Sequence, residues 1–251
     1  MKILAVFGSA SDEATAAPLC AALKSDFDVE YQVISAHRDL EKLQHKMAEW
    51  EGDAVVAGAG LAAALPGVVA AMTKIPVFGV PVAAQFGGLD SLASIAQMPP
   101  GVPVMTCGPG RGDAIVAFLK AYKKSGSDNF SRIHFVMRDR EFLSHPDLLA
   151  EIEKARAAAK ERGAEVALSD AEARDAFNVH FVTASGDVAD GLRLHVPFMP
   201  KAEAQKPENY LSVFEWTKKG GLWLGVNNTR NAVASVARLA GAAKVLQGGA
   251  A

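Results

Sequence analysis

Residues 2–12, with the sequence KILAVFGSASD, decide the fold. The first six are an apolar run of the length of a buried β-strand, and the glycine and serines after it mark a turn. Residues 12–24 then repeat apolar side chains at helical spacing, with Leu19, Ala22 and Leu23 on one face. A buried strand that passes through such a turn into a helix is typical of a parallel α/β sheet.

The same alternation continues to about residue 122. Strands are predicted at residues 29–34, 53–57, 75–80 and 102–106, and helices at residues 40–50, 89–97 and 113–122. Because the predicted strands are apolar along nearly their whole length, both faces of their sheet must be covered. The pattern therefore predicts an α/β fold with a parallel, doubly wound sheet between two layers of helices.

A polar, turn-rich stretch at residues 123–129 (KKSGSDN) predicts a linker, after which a similar alternation begins again. An ungapped shift of 118 residues aligns Ser94 with Ser212 and Asp113 with Asn231. This pattern favours a tandem duplication over an unrelated second α/β domain. The expected domains are residues 1–124 and 130–251. Further strands are predicted at residues 133–137, 165–168, 179–183, 194–199 and 222–226, and helices at 147–162, 209–217 and 229–246.

Composition excludes several classes of protein. The chain has 251 residues, 50% of them apolar and 22% charged, which is a globular composition. A net charge of −2 provides no broad positive field, so we expect no nucleic-acid partner. Uninterrupted apolar runs are too short for a membrane span. Two cysteines, Cys20 and Cys107, cannot build a disulfide framework and form no metal-binding cluster, which favours a cytoplasmic protein without a structural metal.

Ligands of open α/β sheets bind beyond the carboxyl ends of the strands, so the strand-to-helix junctions are the candidate sites. At the first junction, Ser9 and Ser11 can donate hydroxyl hydrogen bonds to a phosphate, while Asp12 suits a ribose hydroxyl. The alternative is that Ser11 or Asp12 only caps the following helix.

The second junction is Ser35-Ala36-His37-Arg38. An arginine can clamp a phosphate through two parallel hydrogen bonds. Histidine is the side chain that titrates near neutrality, as a proton shuttle should. The alternative is that both side chains are ordinary solvated surface groups.

The third junction, residues 58–67, is rich in small residues. Gly58, Gly60 and Ala63 match a dinucleotide-binding pattern only nominally, because no acidic ribose ligand stands about 20 residues later. This absence disfavours a nucleotide-cofactor oxidoreductase. The junction, which includes Leu65, predicts instead a small, dry pocket with backbone walls.

Six segments together resemble one family. They are GSASD at 8–12, SAHR at 35–38, AGAG at 57–60, LPG at 65–67, PVFGVPV at 76–82 and GGLDSLASIAQMPPGVPV at 87–104. In this order and at these distances, they resemble the N5-carboxyaminoimidazole ribonucleotide mutase family, the catalytic subunit of phosphoribosylaminoimidazole carboxylase. The resemblance covers about residues 1–122.

The resemblance implies a flavodoxin-like fold and an isomerase that converts N5-carboxyaminoimidazole ribonucleotide to 4-carboxy-5-aminoimidazole ribonucleotide in purine synthesis, without ATP, metal or organic cofactor. It places Ser9 and Arg38 at the 5′-phosphate and Asp12 at the ribose. His37 becomes the general acid and base of a decarboxylation followed by recarboxylation. The pocket at residues 58–67 would then hold the CO2 between these two steps.

The sequence departs from the family pattern at several positions. Leu61 stands where a glycine is expected, Ala64 where a histidine is expected, and Asp113 in place of the asparagine of an Asn-Ala pair. Two alternatives therefore stay open. One is direct carboxylation of aminoimidazole ribonucleotide on the same fold, and the other is a non-catalytic, nucleotide-binding sensor.

The second half lacks the motifs of the first. Residues 137–141 (MRDRE) occupy the place of GSASD, no SAHR follows, and residues 200–208 (PKAEAQKPE) replace the fourth loop. We expect a degenerate repeat without catalysis. Since the resembled family forms octamers of single-domain subunits, the expected assembly is a homo-oligomer, a tetramer of two-repeat chains with four working sites.

Overall fold

The computed structural model describes residues 1–125, 130–184 and 188–246, and in these ranges each half of the chain contributes five strands. The strands are β1 Lys2–Phe7, β2 Asp28–Val33, β3 Ala54–Ala59, β4 Val77–Pro81, β5 Met105–Thr106, β6 Arg132–Val136, β7 Glu165–Ser169, β8 Phe177–Val182, β9 Leu194–Pro197 and β10 Leu222–Trp223. The helices are α1 Glu13–Lys24, α2 Leu40–Ala48, α3 Leu65–Met72, α4 Leu89–Ala96, α5 Gly112–Lys124, α6 Pro146–Lys160, α7 Lys201–Ala204, α8 Pro207–Thr217 and α9 Thr229–Leu246.

All ten strands form one sheet in the order β2-β1-β3-β4-β5-β10-β9-β8-β6-β7. Neighbouring strands are parallel except at the centre, where β5 and β10 pair antiparallel through Thr106 and Trp223. The α/β fold with a mostly parallel, helix-covered sheet is thus confirmed. Read inward from either edge, the two halves have the same strand order, 2-1-3-4-5 and 7-6-8-9-10. This shared sheet was not predicted, because its junction rests on two strands of only two residues each.

Helices on both faces bury the strands of the first half. On one face α1 and α5 cover Ile3, Phe7 and Phe78, in a core that continues into α6 and α9 of the second half. On the other face α2, α3 and α4 cover Leu4 and Val55. Because side chains alternate between faces along a strand, apolar residues at consecutive positions of β1 and β3 supply both cores.

The second half has fewer helices on the second face. Residues 170–176 join β7 to β8 without a helix, whereas α2 lies at the corresponding position between β2 and β3. On this face α8 packs its Val213 and Trp216 over Trp223 and Val182. The half therefore keeps the sheet order of the first half with a reduced helical layer.

Reciprocal contacts join the halves at the start of the last helix of each. Asn231 of α9 hydrogen-bonds the loop between α4 and β5, with its side chain accepting from the Gly101 amide at 2.8 Å. Arg111, just before α5, donates to the Lys218 carbonyl at 2.7 Å, in the loop between α8 and β10. Each half thus holds the loop that precedes the last strand of the other.

Two predicted strands are shorter than expected. Residues 102–106 contribute only Met105–Thr106, because Pro103 has no N–H for the ladder. Residues 222–226 contribute only Leu222–Trp223. The predicted linker begins inside α5, which continues to Lys124, and its residues 126–129 lie outside the described ranges. None of the helices in the described ranges is long and apolar enough to cross a membrane.

Candidate active site

A cleft opens at the carboxyl ends of β1, β2 and β3. Its position follows from the strand order: β1 lies between β2 and β3, so the chain leaves neighbouring strands toward opposite faces and leaves a crevice at their tips. The structure therefore brings the first, second and third junctions together in one cleft. Its lining residues are Gly8, Ser9, Ser11, Asp12, Ser35, Ala36, His37, Arg38, Ala59, Gly60, Leu61, Ala62, Ala64, Leu65 and Ala84.

The first wall is a single 3-10 turn, Ala10–Asp12, with Ser9 as its N-cap. The Ser9 hydroxyl oxygen accepts a hydrogen bond from the Ser11 amide at 3.3 Å and another from the Ser11 hydroxyl at 2.8 Å. A serine oxygen has two acceptor positions, and both are used here. The Ser9 hydroxyl lines the cleft and can donate to an anion there.

Asp12 is buried at the base of the same turn. Its carboxylate accepts the Ser9 N–H at 3.1 Å, which completes a capping box with the Ser9 side chain. Burial raises the pKa of this carboxyl, although hydrogen bonds from Ser9, Ser11 and Gly8 act in the opposite direction. The Asp12 side chain thus bonds back to Ser9 and makes no capping hydrogen bond to α1, while its contact with a ribose stays a prediction.

The second wall is a turn held by Ser35. Its buried hydroxyl accepts the Arg38 N–H at 3.3 Å, and its carbonyl accepts the Asp39 N–H at 2.9 Å. These bonds fix the backbone and leave the side chains of His37 and Arg38 exposed. Arg38 is the only lysine or arginine among the lining residues, and no carboxylate of the described ranges pairs with it. Its charge is thus available to an anion.

The third wall is the loop that follows β3. Gly58 lies inside β3, where an added Cβ would collide with the Phe7 ring, so it belongs to the core and not to the lining. Gly60 does line the cleft, and a Cβ there would stand 3.0 Å from the Cβ of Ala84. Close packing against the Phe7 and Ala84 side chains explains both glycines without a dinucleotide.

The loop at residues 60–64 is conformationally strained. Ala62 has a φ of +46°, a left-handed conformation that side chains other than glycine rarely adopt. Its carbonyl accepts the Ala64 N–H at 2.6 Å, which closes a tight turn. Leu61, at the tip, is 60% exposed and lines the cleft. Strained backbone of this kind persists only where surrounding contacts enforce it.

Of the lining residues, sequence reasoning missed Ala84, whereas Gly8, Ala59 and Ala62 lie within the predicted first and third junctions. All are small and contribute backbone and apolar surface without a chemical signal of their own. The available signal was positional, because Gly8 and Ala59 stand at strand ends and Ala84 follows the end of β4.

Outside the cleft, Cys107 and His45 are reactive side chains whose surroundings do not indicate a catalytic role. Cys107 is fully buried, and burial raises the pKa of its thiol to about 12, which makes it a poor nucleophile. His45 pairs with Glu49 on the surface of α2. The described side chains include no cluster of three or more His, Cys, Asp or Glu arranged for a metal ion.

Comparison with known proteins identifies the family of the first half. Residues 2–129 match the family model described as AIR carboxylase. The chain is similar to the N5-carboxyaminoimidazole ribonucleotide mutase of Pyrococcus abyssi, 50% identical over 113 residues, which is 43% of this chain and 64% of the relative. It is also similar to the protein of that name from Methanocaldococcus jannaschii, 47% identical over 44% of this chain and 71% of the relative. The Escherichia coli protein of that name is 46% identical over 48% of this chain and 74% of the relative. The chain thus spans just under two thirds of the first relative and more than two thirds of the other two.

Proposed function

The chain belongs to the AIR carboxylase family, and from this membership we propose that it is an N5-carboxyaminoimidazole ribonucleotide mutase, an isomerase of purine biosynthesis. Its product is 4-carboxy-5-aminoimidazole ribonucleotide. The observation that carries the proposal is the single cleft in which Ser9, His37 and Arg38 meet beside the apolar loop at residues 60–64.

The phosphate end of the substrate binds between the first two walls. The Ser9 hydroxyl can donate to phosphate oxygens, and the Arg38 guanidinium offers them two parallel donors. Ser35 and Ala36 form the backbone between them, and Asp12 hydrogen-bonds a ribose hydroxyl. Because Ser9 and Arg38 bind the phosphate from two sides, the aminoimidazole ring of the substrate is directed toward the third wall.

His37 moves one proton in each direction. In the first step the carbamate C–N bond breaks, its electron pair returns to N5, and the imidazolium of His37 protonates that nitrogen as CO2 is formed. In the second step C4 attacks the CO2 carbon, and the neutral imidazole removes the C4 proton. No proton is gained or lost overall, so one acid–base group suffices.

The third wall retains CO2 between the two steps. Gly60, Leu61, Ala62 and Leu65 present backbone and apolar surface there, which excludes water and leaves CO2 unhydrated. Ala64 contributes no polar contact to the transferred carboxylate. The loop backbone is accordingly the element that orients this group.

Direct assay tests the proposal. Purified protein is supplied with N5-carboxyaminoimidazole ribonucleotide without ATP, and formation of the 4-carboxy product is followed by absorbance. We expect efficient conversion. Turnover of aminoimidazole ribonucleotide with bicarbonate, and none of the N5-carboxy compound, would instead identify a direct carboxylase, a lyase. Tight ribonucleotide binding by calorimetry without conversion would identify the nucleotide-binding sensor.

The second half, residues 130–251, is proposed to be a degenerate repeat of the first, residues 1–124. The identical strand order supports this origin. In the turn after β6, ion pairing occupies the region that corresponds to the phosphate seat. Thr183 donates to Asp139 at 3.4 Å, and Arg140 pairs with Asp170 at 2.6 Å. This turn has neither of the two serines of the first junction and no SAHR follows it, so this half is not expected to catalyse.

The assembly proposed is a cytoplasmic homo-oligomer, a tetramer of two-repeat chains with four working sites. Two buried, free cysteines are compatible with a reducing compartment. Analytical ultracentrifugation at micromolar concentration tests the assembly, and a stable monomer would overturn it.

A further inference from the structure

We propose that the C-terminal half positions the loop at residues 60–64 through α4, with Ser94 as the positioning residue. The inference rests on the proposed mutase reaction, because its consequence is the retention of CO2 in the cleft. Neither Ser94 nor any described residue of the C-terminal half lines the cleft, so both act through other residues.

The first step runs from α4 to the loop. The Ser94 side chain, on the exposed side of α4, donates to the Ala63 carbonyl at 3.3 Å, between the strained Ala62 and the lining residue Ala64. The strain at Ala62 requires an outside restraint, and this hydrogen bond reaches the adjacent peptide. Ser91, one turn earlier, donates to the carbonyls of Val82 and Gly88 at 3.1 and 3.0 Å. The helix therefore holds the backbone around two of the cleft loops.

The second step runs from the C-terminal half to the end of α4. The Asn231 amide, 1% exposed, accepts from the Gly101 N–H at 2.8 Å and donates to the Pro99 carbonyl at 3.0 Å. Asn228 donates to the Met98 carbonyl at 2.8 Å. Two asparagines of the C-terminal half, Asn228 and Asn231, thus fix the segment that directly follows α4 in the first half. We call these contacts the clamp.

Side-chain packing strengthens the same connection. Gly225 lies so close to Gln97 that an added Cβ would stand 2.6 Å from its Oε1. The Met98 side chain packs against Gly67 of α3, where an added Cβ would stand 2.8 Å from its Cε. Since α3 begins where the loop ends, Met98 supplies a second route from the clamp to the cleft.

The functional consequence concerns the fate of CO2. Once the C–N bond has broken and N5 has been protonated, CO2 either reacts at C4 or escapes. Escape leaves free aminoimidazole ribonucleotide, and the ratio of the two products reports how well the loop confines the intermediate. A loop released from Ser94 is expected to raise the fraction of turnovers that end in escape.

The experiment compares product ratios in the full-length protein, corrected for decarboxylation of substrate without enzyme. For Ser94→Ala we expect a severalfold larger share of aminoimidazole ribonucleotide, with the substrate KM within about twofold, because the phosphate seat is untouched. Ser94→Thr retains the hydroxyl and is expected to restore the wild-type ratio. Ser125→Ala is the matched control, since that serine donates to the Tyr122 carbonyl at the end of α5 and does not line the cleft.

Asn231→Asp tests the clamp itself. The carboxylate still accepts the Gly101 N–H but cannot donate to the Pro99 carbonyl, so the product ratio should shift as in Ser94→Ala. If Asn231→Asp fails to fold, Ser94→Ala alone decides. A wild-type product ratio in Ser94→Ala overturns the inference while leaving the mutase function intact. A wild-type protein that forms no 4-carboxy product overturns the proposed function, and the inference with it.

Discussion

The Ser9 and Ser11 hydroxyl oxygens lie 2.8 Å apart, with Ser11 as the donor. The Ser11 amide donates to the same Ser9 oxygen at 3.3 Å. Because both contacts from Ser11 reach the Ser9 oxygen, they hold the Ser9 side chain in place. The two serines of the first junction therefore have different tasks: Ser9 contacts the anion, and Ser11 orients Ser9.

This division predicts unequal effects of two similar substitutions. Ser9→Ala removes a hydrogen bond to a charged phosphate, about 1.5–3 kcal/mol, so product affinity should fall about 10- to 100-fold. Ser11→Ala removes only the neutral bond that orients Ser9, about 1 kcal/mol, for a loss of about fivefold. Isothermal titration calorimetry with the product ribonucleotide measures both. A larger loss in Ser11→Ala than in Ser9→Ala would show that Ser11 contacts the phosphate directly.

Substitutions of Arg38 should separate the contribution of its charge to ribonucleotide affinity from that of its planar geometry. Arg38→Ala should weaken ribonucleotide binding by at least 100-fold, because no other lysine or arginine lines the cleft in the described ranges. Arg38→Lys retains the charge but not the planar fork and should recover only part of the affinity. Lys42→Ala, on the exposed surface of α2, is the control. Full affinity in Arg38→Lys would mean that the contact is a single point charge.

His37 is predicted to matter for turnover and not for binding. His37→Asn preserves a polar side chain of similar reach but cannot shuttle a proton, so kcat should fall at least 1,000-fold, within the ~10²–10⁴-fold range of acid–base catalysis. Product affinity should stay within about threefold. Stopped assays of the 4-carboxy product with calorimetry on the same sample separate the two quantities. Wild-type turnover in this variant would remove His37 from the mechanism.

The fold was predictable because apolar periodicity reports burial directly. The runs that became β1, β3 and β4 are buried on both faces, so their apolar residues are consecutive and visible in the sequence. The antiparallel pairing of β5 with β10 was not predictable from such runs, because these strands are two residues each. The shared core is reinforced by hydrogen bonds of single asparagine and arginine side chains, which no periodic pattern predicts.

The site was predictable where chemistry needs a particular side chain, and unpredictable where it needs only space. Ser9, His37 and Arg38 carry functional groups at strand ends, and parallel topology brings those ends together. Gly58 shows the limit, because a glycine that makes room for the Phe7 ring reads the same as one that admits a ligand. Ser94 lies mid-helix, where its hydroxyl carries no local signal of a distant carbonyl.

The buried carboxylate of Asp12 is predicted to lower the stability of the folded protein while it contributes to substrate binding. Burial raises its pKa above 3.8, so between pH 3.8 and the raised value the folded protein binds more protons than the unfolded chain, and stability falls as pH rises. Asp12→Asn keeps an acceptor for the Ser9 N–H without a buried charge. We expect its Tm to exceed that of the wild type at pH 7, while the substrate KM rises.

Thermal unfolding of both proteins across this pH range tests the sign. The advantage of Asp12→Asn should grow from pH 3.8 upward and level off above the raised pKa. A variant that is less stable than the wild type at every pH would show that the carboxylate stabilises the turn more than its burial destabilises it.

His195 predicts acid lability of the C-terminal half. Its ring is buried against Trp223. This burial, reinforced by the nearby His180, lowers the pKa of His195 from 6.5 to about 3. Arg193 acts in the same direction, and Asp190 opposes it. Between pH 6.5 and 3 the unfolded chain therefore binds one proton more than the folded protein, and stability declines as pH falls.

His195→Gln keeps a donor for the Leu222 carbonyl, which the imidazole contacts at 3.1 Å, but cannot titrate. The variant is expected to be less stable than the wild type at pH 7, with a pH slope of unfolding free energy that is shallower by up to about 1.4 kcal/mol per pH unit below pH 6.5. Urea unfolding at several pH values measures the slope. His45→Gln is the control, because that side chain is 75% exposed. Equal slopes in the wild type and His195→Gln would show that the buried imidazole is protonated in the folded protein as readily as in the unfolded chain.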